Sequence, residues 1–332
     1  MKEIPITQLH PLSIGQTEDS RSGTGCTVLL CPDGMPAGVD VRGGGPASRE
    51  TELLNPLTNA ERIHALVLSG GSAFGLAASD GVMSLLEERG FGYDVGIARV
   101  PLVVQACLFD LAVGDAHIRP DAAMGREAAR LALDAPNYRD GNYGAGCGAT
   151  VGKLFQMKRA MKTGIGSFAL QTGELKVGAI AAVNALGDVF DWRTHRQVAG
   201  LLSPDRLHLA SSEESMCGKT EVVRNRFTGN TTLCAVITNA AFGKTHLCKI
   251  AGMAHDGMAR SISPVHTSAD GDTIFALSVG SVQADRDLVG VLAAQAVSEA
   301  ILRSVFSASS AFGHPCARDL GLFPDSGAVQ IP

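Results

Sequence analysis

A chain of 332 residues with 45% hydrophobic and 18% charged side chains excludes a disordered or low-complexity protein and is long enough to bury a large core. The formal net charge is −5 and basic residues form no block, so nucleic acid is not an expected partner. The first residues contain no apolar signal-peptide segment, and no uninterrupted apolar run reaches membrane-spanning length, so we expect a cytoplasmic protein with no membrane partner. Glycine is in excess at 39 residues, which predicts many tight turns or close backbone approaches.

The first half of the chain begins with two short apolar runs. They span residues 26–31 and 37–41 and flank the turn Pro32-Asp33-Gly34, so the pattern predicts a β-hairpin. Further predicted elements of this half are a strand at 65–68 and helices at 72–88 and 125–133.

The second half contains longer apolar segments. They predict strands at 177–186, 231–237 and 273–279 and helices at 245–261 and 288–306. The predicted strands and helices occur in similar amounts and do not strictly alternate along the chain, which favours layered α/β or α+β packing. Residues 219–230 lack periodicity and are predicted to be linking or surface chain. The C-terminal extension 307–332 could cover an oligomer surface, line a site entrance or be disordered.

Several sequence motifs that would identify a well-known type of binding or catalytic site are incomplete in this chain. Residues 141–153 are glycine-rich, but Cys147 stands where a phosphate-binding loop needs its first glycine and Leu154 where it needs serine or threonine. The segment around Ser72 lacks the second glycine of a nucleophile elbow. The cysteines form no Cys-x-x-Cys pair and the histidines no His-Glu-x-x-His pattern, which predicts buried free thiols and no metal site.

The sequence Asn230-Thr231-Thr232 joins a polar segment to a buried apolar strand, and two interpretations stay open here. In one, both threonines simply begin a β-strand, which they favour. In the other, the Thr231 hydroxyl attacks the carbonyl of Asn230 and the chain cuts itself. Hydrolysis would then leave Thr231 with a free α-amine, which titrates near ~7.7 to 8.0 and can act as a base without a histidine.

Seven segments together resemble the DmpA family of self-processing aminopeptidases and amidases, with the greatest likeness to its branch of nylon-oligomer hydrolases. These segments are 13–19, 25–28, 39–44, 68–76, 141–153, 228–240 and 266–275. The resemblance implies a four-layer αββα sandwich and a single domain, 1–332, whose precursor divides after Asn230 into 1–230 and 231–332. It also implies a homo-oligomer, expected as a tetramer of such αβ units, and no metal or organic cofactor.

The same resemblance implies roles for five residues. Thr231 would be the nucleophile and, through its free amine, the base. Asp270 and Asp272 would orient the nucleophile, and they match the nylon-oligomer branch, since the aminopeptidase branch has serine and glutamate there. Lys153 would hold a carboxylate or stabilise charge, and Asn184 would donate a hydrogen bond to the oxyanion.

Phe109 departs from the family pattern, because relatives carry a site tyrosine where this chain has a ring that cannot donate a hydrogen bond. Together with Gly70, Gly71, Ser72 and Gly146 it is a candidate for the substrate pocket.

The expected activity is the hydrolysis of amide bonds in small peptides or ω-amino-acid oligomers through an acyl-threonine ester. Alternatives are transfer of the acyl group to an amine, as in ornithine acetyltransferase, and a catalytically weak member of the family.

Overall fold

Two β-sheets lie face to face in the computed structural model, which describes residues 1–218 and 229–323. A pair of helices covers the outer face of each sheet. This is the four-layer αββα arrangement expected from the sequence. The predicted linking segment 219–230 lies outside the described residues except for Gly229 and Asn230.

The strands are β1 (Lys2–Ile4), β2 (Ser13–Asp19), β3 (Thr24–Met35), β4 (Ala37–Val41), β5 (Ala47–Arg49), β6 (Ile63–Ser69), β7 (Tyr93–Asp94), β8 (Arg99–Val100), β9 (Val103–Cys107), β10 (Thr150–Val151), β11 (Met161–Lys162), β12 (Ile165–Thr172), β13 (Leu175–Asn184), β14 (Asp188–Phe190), β15 (Gln197–Ala199), β16 (Thr231–Ala240), β17 (Ile262–Ser263) and β18 (Thr273–Val282). The α-helices are α1 (Ala78–Glu88), α2 (Ala122–Asp134), α3 (Ser212–Cys217), α4 (Lys244–Ser261) and α5 (Arg286–Phe306).

The larger sheet has the strand order β1-β12-β13-β16-β18-β4, and the smaller one has the order β2-β3-β6-β9-β5. Most neighbours are antiparallel, but β16 and β18 are parallel, as are β6 and β9. Asn184 of β13 lies opposite Thr231 of β16, and Leu233 lies opposite Thr273 of β18. The strands β16 and β18 therefore begin side by side at one edge of the larger sheet.

Three apolar layers hold the stack together. Large side chains of both sheets, such as Leu66 and Phe275, meet in the central layer. The second layer packs the smaller sheet against α1 and α2, and the third packs the larger sheet against α4 and α5. Leu233 faces the central layer and Cys234 faces the helices, so β16 is buried on both sides and reads as a continuous apolar run.

Helix α5 is the one helix of the described residues that is long and apolar enough to cross a membrane by length and composition. Within its most apolar window, 78% of the residues are buried inside the protein. Its side chains, among them Val297 and Ile301, belong to the layer between the larger sheet and α4. A core helix meets the same criteria of length and composition.

The predicted elements are confirmed in type, with bounds that differ by a few residues, except for the hairpin at 26–41, which is wrong. β3 continues to Met35 and pairs with β2 and β6 in the smaller sheet, whereas β4 pairs with β18 in the larger sheet. The predicted turn instead falls at an irregularity in the pairing of β3 with β6. The chain changes sheets at Pro36, which has no N–H to offer to a strand ladder.

The predicted helix at 72–88 has two parts, because the 3-10 helix Ser72–Ala77 precedes α1. The main-chain φ angles of 81° at Gly71 and 54° at Ser72 mark the sharp bend out of β6. Buried free thiols are not found at every cysteine, since Cys217 is exposed and Cys248 is partly exposed.

Residues 307–323 of the predicted extension fold back onto the body of the protein. Cys316 and Ala317 are buried, and the carbonyl of Pro315 accepts a hydrogen bond from the Lys162 N–H at 2.9 Å. Disorder is therefore wrong for this part, while residues 324–332 lie outside the described residues.

Substitutions at two glycines inside α4 can test how closely α4 packs against α5. A β-carbon on Gly257 would lie 2.2 Å from the main-chain oxygen of Ala294. One on Gly252 would meet side-chain atoms of Asp40 and Arg42, the nearest at 3.0 Å. Gly257→Ala should push the helices apart and lower the free energy of unfolding by about 1–3 kcal/mol. Gly252→Ala is the matched control and should be neutral or stabilising by up to about 1 kcal/mol through helix propensity. Equal melting temperatures for the two variants would contradict the close helix contact.

Candidate active site

Thr231 is the first residue of β16 and is buried, with 4% of its surface exposed. Its hydroxyl contacts the main-chain oxygen of Asn230. The same oxygen accepts a hydrogen bond from the Gly271 N–H at 2.8 Å. A β-carbon on Gly271 would come 2.7 Å from the Thr231 Oγ, so glycine allows this close approach. The peptide bond expected to be cut thus lies between a hydroxyl and a main-chain donor.

Asp270 lies beside this bond, where Asn230 and Asp270 form a parallel bridge. Its carboxylate accepts hydrogen bonds from the Thr267 hydroxyl, from the Thr267 N–H at 3.0 Å and from the Leu186 N–H at 3.4 Å. Burial, reinforced by the neighbouring Asp272 carboxylate, raises the pKa of Asp270 to about 6.

Asp272 holds the start of β16 from the other side. Its carboxylate accepts a hydrogen bond from the Thr232 N–H at 2.7 Å. It also accepts the His266 N–H at 3.1 Å, and Nδ1 of the His266 ring lies at 2.9 Å. The structure therefore brings both predicted carboxylates to Thr231. It adds His266, which lies within a segment of the family resemblance but to which sequence reasoning assigned no role.

Lys153 is buried with its Nζ against Asn184. The ammonium donates to the main-chain oxygen of Asn184 at 2.9 Å and to its side-chain Oδ1 at 2.7 Å. It also reaches the carbonyl of Gly229 at 3.4 Å. Burial lowers the pKa of Lys153 to about 7, although the carboxylates of Asp270, Asp110 and Asp272 favour the charged form.

The side-chain amide of Asn184 is oriented by its neighbours. Its Oδ1 accepts from Lys153 and from the Thr150 N–H at 3.1 Å, so its Nδ2 points the other way. Nδ2 donates to the carbonyl of Phe109 at 2.9 Å and to that of Gly229 at 3.4 Å. The donors of Lys153 and Asn184 therefore converge on the Gly229 carbonyl, one residue before the bond expected to be cut.

A cavity of about 30 Å³ opens beside Thr231. Its walls have no charged side chain among the described residues. They are formed by Gly45, Ala47, Ser72, Cys107, Phe109, Gly229, Asn230, Thr231, Ser268 and Ala269. Two of the predicted pocket candidates, Ser72 and Phe109, are among these residues.

Three other pocket candidates, Gly70, Gly71 and Gly146, do not line this cavity. A β-carbon on Gly70 would lie 1.8 Å from the Asp110 carboxylate, and one on Gly146 would lie 2.1 Å from the nitrogen of Ile165. These glycines allow backbone packing behind the site.

Asp110 is a buried carboxylate behind the cavity that sequence reasoning missed. It accepts hydrogen bonds from the Thr24 hydroxyl and from the Gly71 N–H, each at 2.7 Å. Burial raises the pKa of Asp110 to about 6. The signal that could have found it is a lone charge directly after Phe109 in an apolar run. The contacts of Asp110 hold the loop that leads to Ser72.

No group of three or more histidine, cysteine or acidic side chains in residues 1–218 and 229–323 is arranged to hold a metal ion. A larger cleft of about 600 Å³ lies where β16 and β18 end, lined by residues such as Ala241 and Ser278. The predicted catalytic side chains gather instead where these strands begin.

Curated relatives cover nearly the whole chain. An uncharacterized aminopeptidase of Mycobacterium leprae is 38% identical, with 99% of this chain and 94% of that protein aligned. A 6-aminohexanoate-oligomer endohydrolase of Agromyces sp. is 30% identical, with 88% of this chain and 83% of that protein aligned.

Two solved structures share the fold at low sequence identity. The L-aminopeptidase D-Ala-esterase/amidase of Ochrobactrum anthropi, described as a variant of the Ntn-hydrolase fold, has a TM-score of 0.66 at 17% identity, covering 91% of this chain and 86% of that one. A β-aminopeptidase of Burkholderia sp. has a TM-score of 0.64 at 18% identity, covering 98% and 97%. The sequence profile of peptidase family S58 matches residues 5–316. With that match over most of its length, the chain belongs to peptidase family S58, the DmpA family.

Proposed function

We propose that this protein is a self-processing hydrolase of amide bonds with Thr231 as its nucleophile. The observation that carries the proposal is the geometry of one peptide bond. The Thr231 hydroxyl contacts the Asn230 carbonyl oxygen, the Gly271 N–H donates to that oxygen at 2.8 Å, and two buried carboxylates flank the pair. The Gly271 N–H is also the ladder donor of the parallel bridge between Asn230 and Asp270, which any paired strand would have. Two carboxylates buried next to the bond are not needed to begin a strand.

Processing begins when the Thr231 Oγ attacks the carbonyl carbon of Asn230. A C–O bond forms, the C–N bond breaks, and the hydroxyl proton passes to the leaving nitrogen, so that the amide becomes an ester. Water then hydrolyses the ester, leaving a carboxyl group on Asn230 and a free hydroxyl and amine on Thr231. Negative charge develops on the oxygen that faces the Gly271 N–H, which makes this N–H the oxyanion donor of the step.

In turnover, the α-amine of Thr231 takes the proton of its own hydroxyl, and Oγ attacks the substrate carbonyl. The amine product leaves with that proton, and an acyl-Thr231 ester remains. Water attacks the ester through the same base and releases the acid. Lys153 and Asn184 donate to the Gly229 carbonyl in the uncut chain, and a substrate carbonyl can occupy that position once residues 229 and 230 have moved away.

The proposed substrate class rests on the relatives and on one wall of the cavity. Gly229 and Asn230 line this cavity in the uncut chain, so the space open to a substrate differs from the present volume. Phe109 offers an apolar wall, and its ring lies against Gly229 so closely that a β-carbon there would overlap it. Small peptides or ω-amino-acid oligomers fit these features, and relatives described as an aminopeptidase and a 6-aminohexanoate-oligomer endohydrolase support the choice. Membership of a peptidase family favours water over an amine as acyl acceptor.

Thr231→Val should remain a single chain, because valine has the shape of threonine without the hydroxyl that attacks Asn230. The matched control is Thr232→Val, since the buried Thr232 Oγ has no hydrogen-bond partner among the described residues. Mass spectrometry of the wild type and the control should show two fragments, the smaller beginning at Thr231. A wild-type chain that never splits, or a Thr231→Val chain that does, would overturn the processing step.

Lys153→Met should lower kcat by about 10²–10³, because it removes a donor at the site where substrate oxygen develops charge. Lys244→Met is the control, because Lys244 is also buried but follows the end of β16, the strand that Thr231 begins, and donates to the carbonyls of Asn55 and Thr58. Rates on p-nitroanilides of L-, D- and β-amino acids and on 6-aminohexanoate oligomers measure both effects. Equal losses of kcat in the two variants would assign Lys153 a purely structural role.

We further propose that the protein is a cytoplasmic homo-oligomer, with a tetramer of αβ units as its expected form. Analytical ultracentrifugation of the processed protein should give the mass of four such units. The mass of a single αβ unit would contradict the proposal.

A further inference from the structure

A line of hydrogen bonds connects Asp272 to the outer helix layer. Nδ1 of His266 lies 2.9 Å from the Asp272 carboxylate, and Nε2 of His266 lies 3.2 Å from Nδ1 of His255 on α4. Nε2 of His255 in turn lies 3.0 Å from the main-chain oxygen of Asp40 on β4. The mechanism above uses neither histidine, yet this line ends on a carboxylate that holds the nucleophile strand.

The main-chain oxygen of Asp40 determines which ring nitrogens of the two histidines carry hydrogens. A carbonyl oxygen can only accept, so Nε2 of His255 carries a hydrogen. Full burial disfavours the charged form of His255 and lowers its pKa, whereas His266 keeps some exposure and contacts the Asp272 carboxylate. His255 is therefore the neutral ring, and its Nδ1 is an acceptor. Nε2 of His266 must therefore donate to His255 and carries a hydrogen as well.

The contact between His266 and Asp272 then requires one more proton. Nδ1 of His266 and the carboxylate oxygen are both acceptors unless a proton lies between them. The carboxylate also accepts the N–H groups of Thr232 and His266, and such donors stabilise its charged form. The proton accordingly belongs to the ring, and both ring nitrogens of His266 carry hydrogens.

We propose that His266 is a positioning residue, held as an imidazolium beside Asp272, that neutralises this carboxylate next to the Thr231 amine. The inference rests on the proposed function, because it concerns how that amine becomes a base. With His266 charged, the cations His266 and Lys153 balance the two carboxylates. Without it, the excess negative charge would hold the Thr231 amine as an ammonium, which cannot accept a proton.

Other charged groups pack around the pair but are engaged elsewhere. Asp40 of β4 pairs with Arg42, the residue after the end of that strand, at 3.1 Å, and Arg42 also donates to the Gly252 carbonyl at 2.7 Å. Asp270 faces Asp272 from the Thr231 side, and burial keeps the Cys234 thiol neutral by raising its pKa. His266 is therefore the cation in direct contact with Asp272 among the described residues.

The variant His266→Asn tests whether the charge of His266 matters, because it removes the charge and can keep the hydrogen bond to Asp272. Asparagine tolerates the φ angle of 56° at this position and can keep a donor on Asp272, but it has no charge. The acidic limb of the pH profile of kcat/KM should move to higher pH by about one pH unit, because the Thr231 amine and Asp270 would both hold their protons more tightly. Above the limb, kcat/KM should stay within a few-fold of the wild type.

His64→Asn is the matched control for this experiment. His64 is a buried histidine of β6 whose Nδ1 accepts the Leu102 N–H at 3.0 Å, and its loss should leave the limb in place. An unmoved limb in His266→Asn, or a uniform loss of kcat at every pH, would overturn the proposal.

A second measurement needs no activity. Nitrogen-15 NMR of the uncut Thr231→Val chain shows whether both ring nitrogens of His266 are protonated at neutral pH. Two protonated nitrogens support the inference, and a bare Nδ1 overturns it whatever the amidase assay gives. Protonated nitrogens in a protein whose wild type hydrolyses no amide would refute the proposed function and leave the charge assignment standing.

Discussion

The parallel pairing of β16 with β18 is the constraint on which the site depends. Parallel neighbours begin at the same edge of a sheet, and the register that places Leu233 beside Thr273 brings Thr231 next to the segment 270–272. The same register lets the Gly271 N–H reach the Asn230 carbonyl. A slip of one residue would turn every side chain of the strand to the opposite face, so the buried layers on both sides hold the nucleophile in place.

The edge where these strands begin is buried, and its charges must be balanced locally. Burial raises the pKa of Asp270 to about 6 and lowers the pKa of Lys153 to about 7, so removal from water opposes both charged forms. Their mutual attraction offsets part of that cost. The pKa values of Asp270 and Lys153 consequently lie closer to neutral pH than in water, and thus closer to that of an N-terminal amine.

The substrate side of the site comes from the smaller sheet. Ser72 follows β6, Phe109 follows β9, and together they face Thr231 across the end of the central apolar layer. Asp110 fixes the loop before Ser72 through the Gly71 N–H, and Asn184 of the larger sheet donates to the Phe109 carbonyl. The cavity therefore forms where the two sheets meet, and neither sheet alone contains both the nucleophile and the facing wall.

The sequence by itself determined the features that depend on neighbouring residues: the buried strands, the helices and the polar junction before Thr231. Asp270, Asp272, Lys153 and Asn184 came from the family resemblance, since no local pattern assigns them a role. Only the tertiary structure decided that β3 and β4 lie in different sheets, that Gly70 and Gly146 pack behind the cavity, and that His255 and Asp40 reach His266. A turn signal specifies a bend but not a strand partner, and a polar side chain acquires its protonation and its role from groups that packing brings from distant parts of the chain.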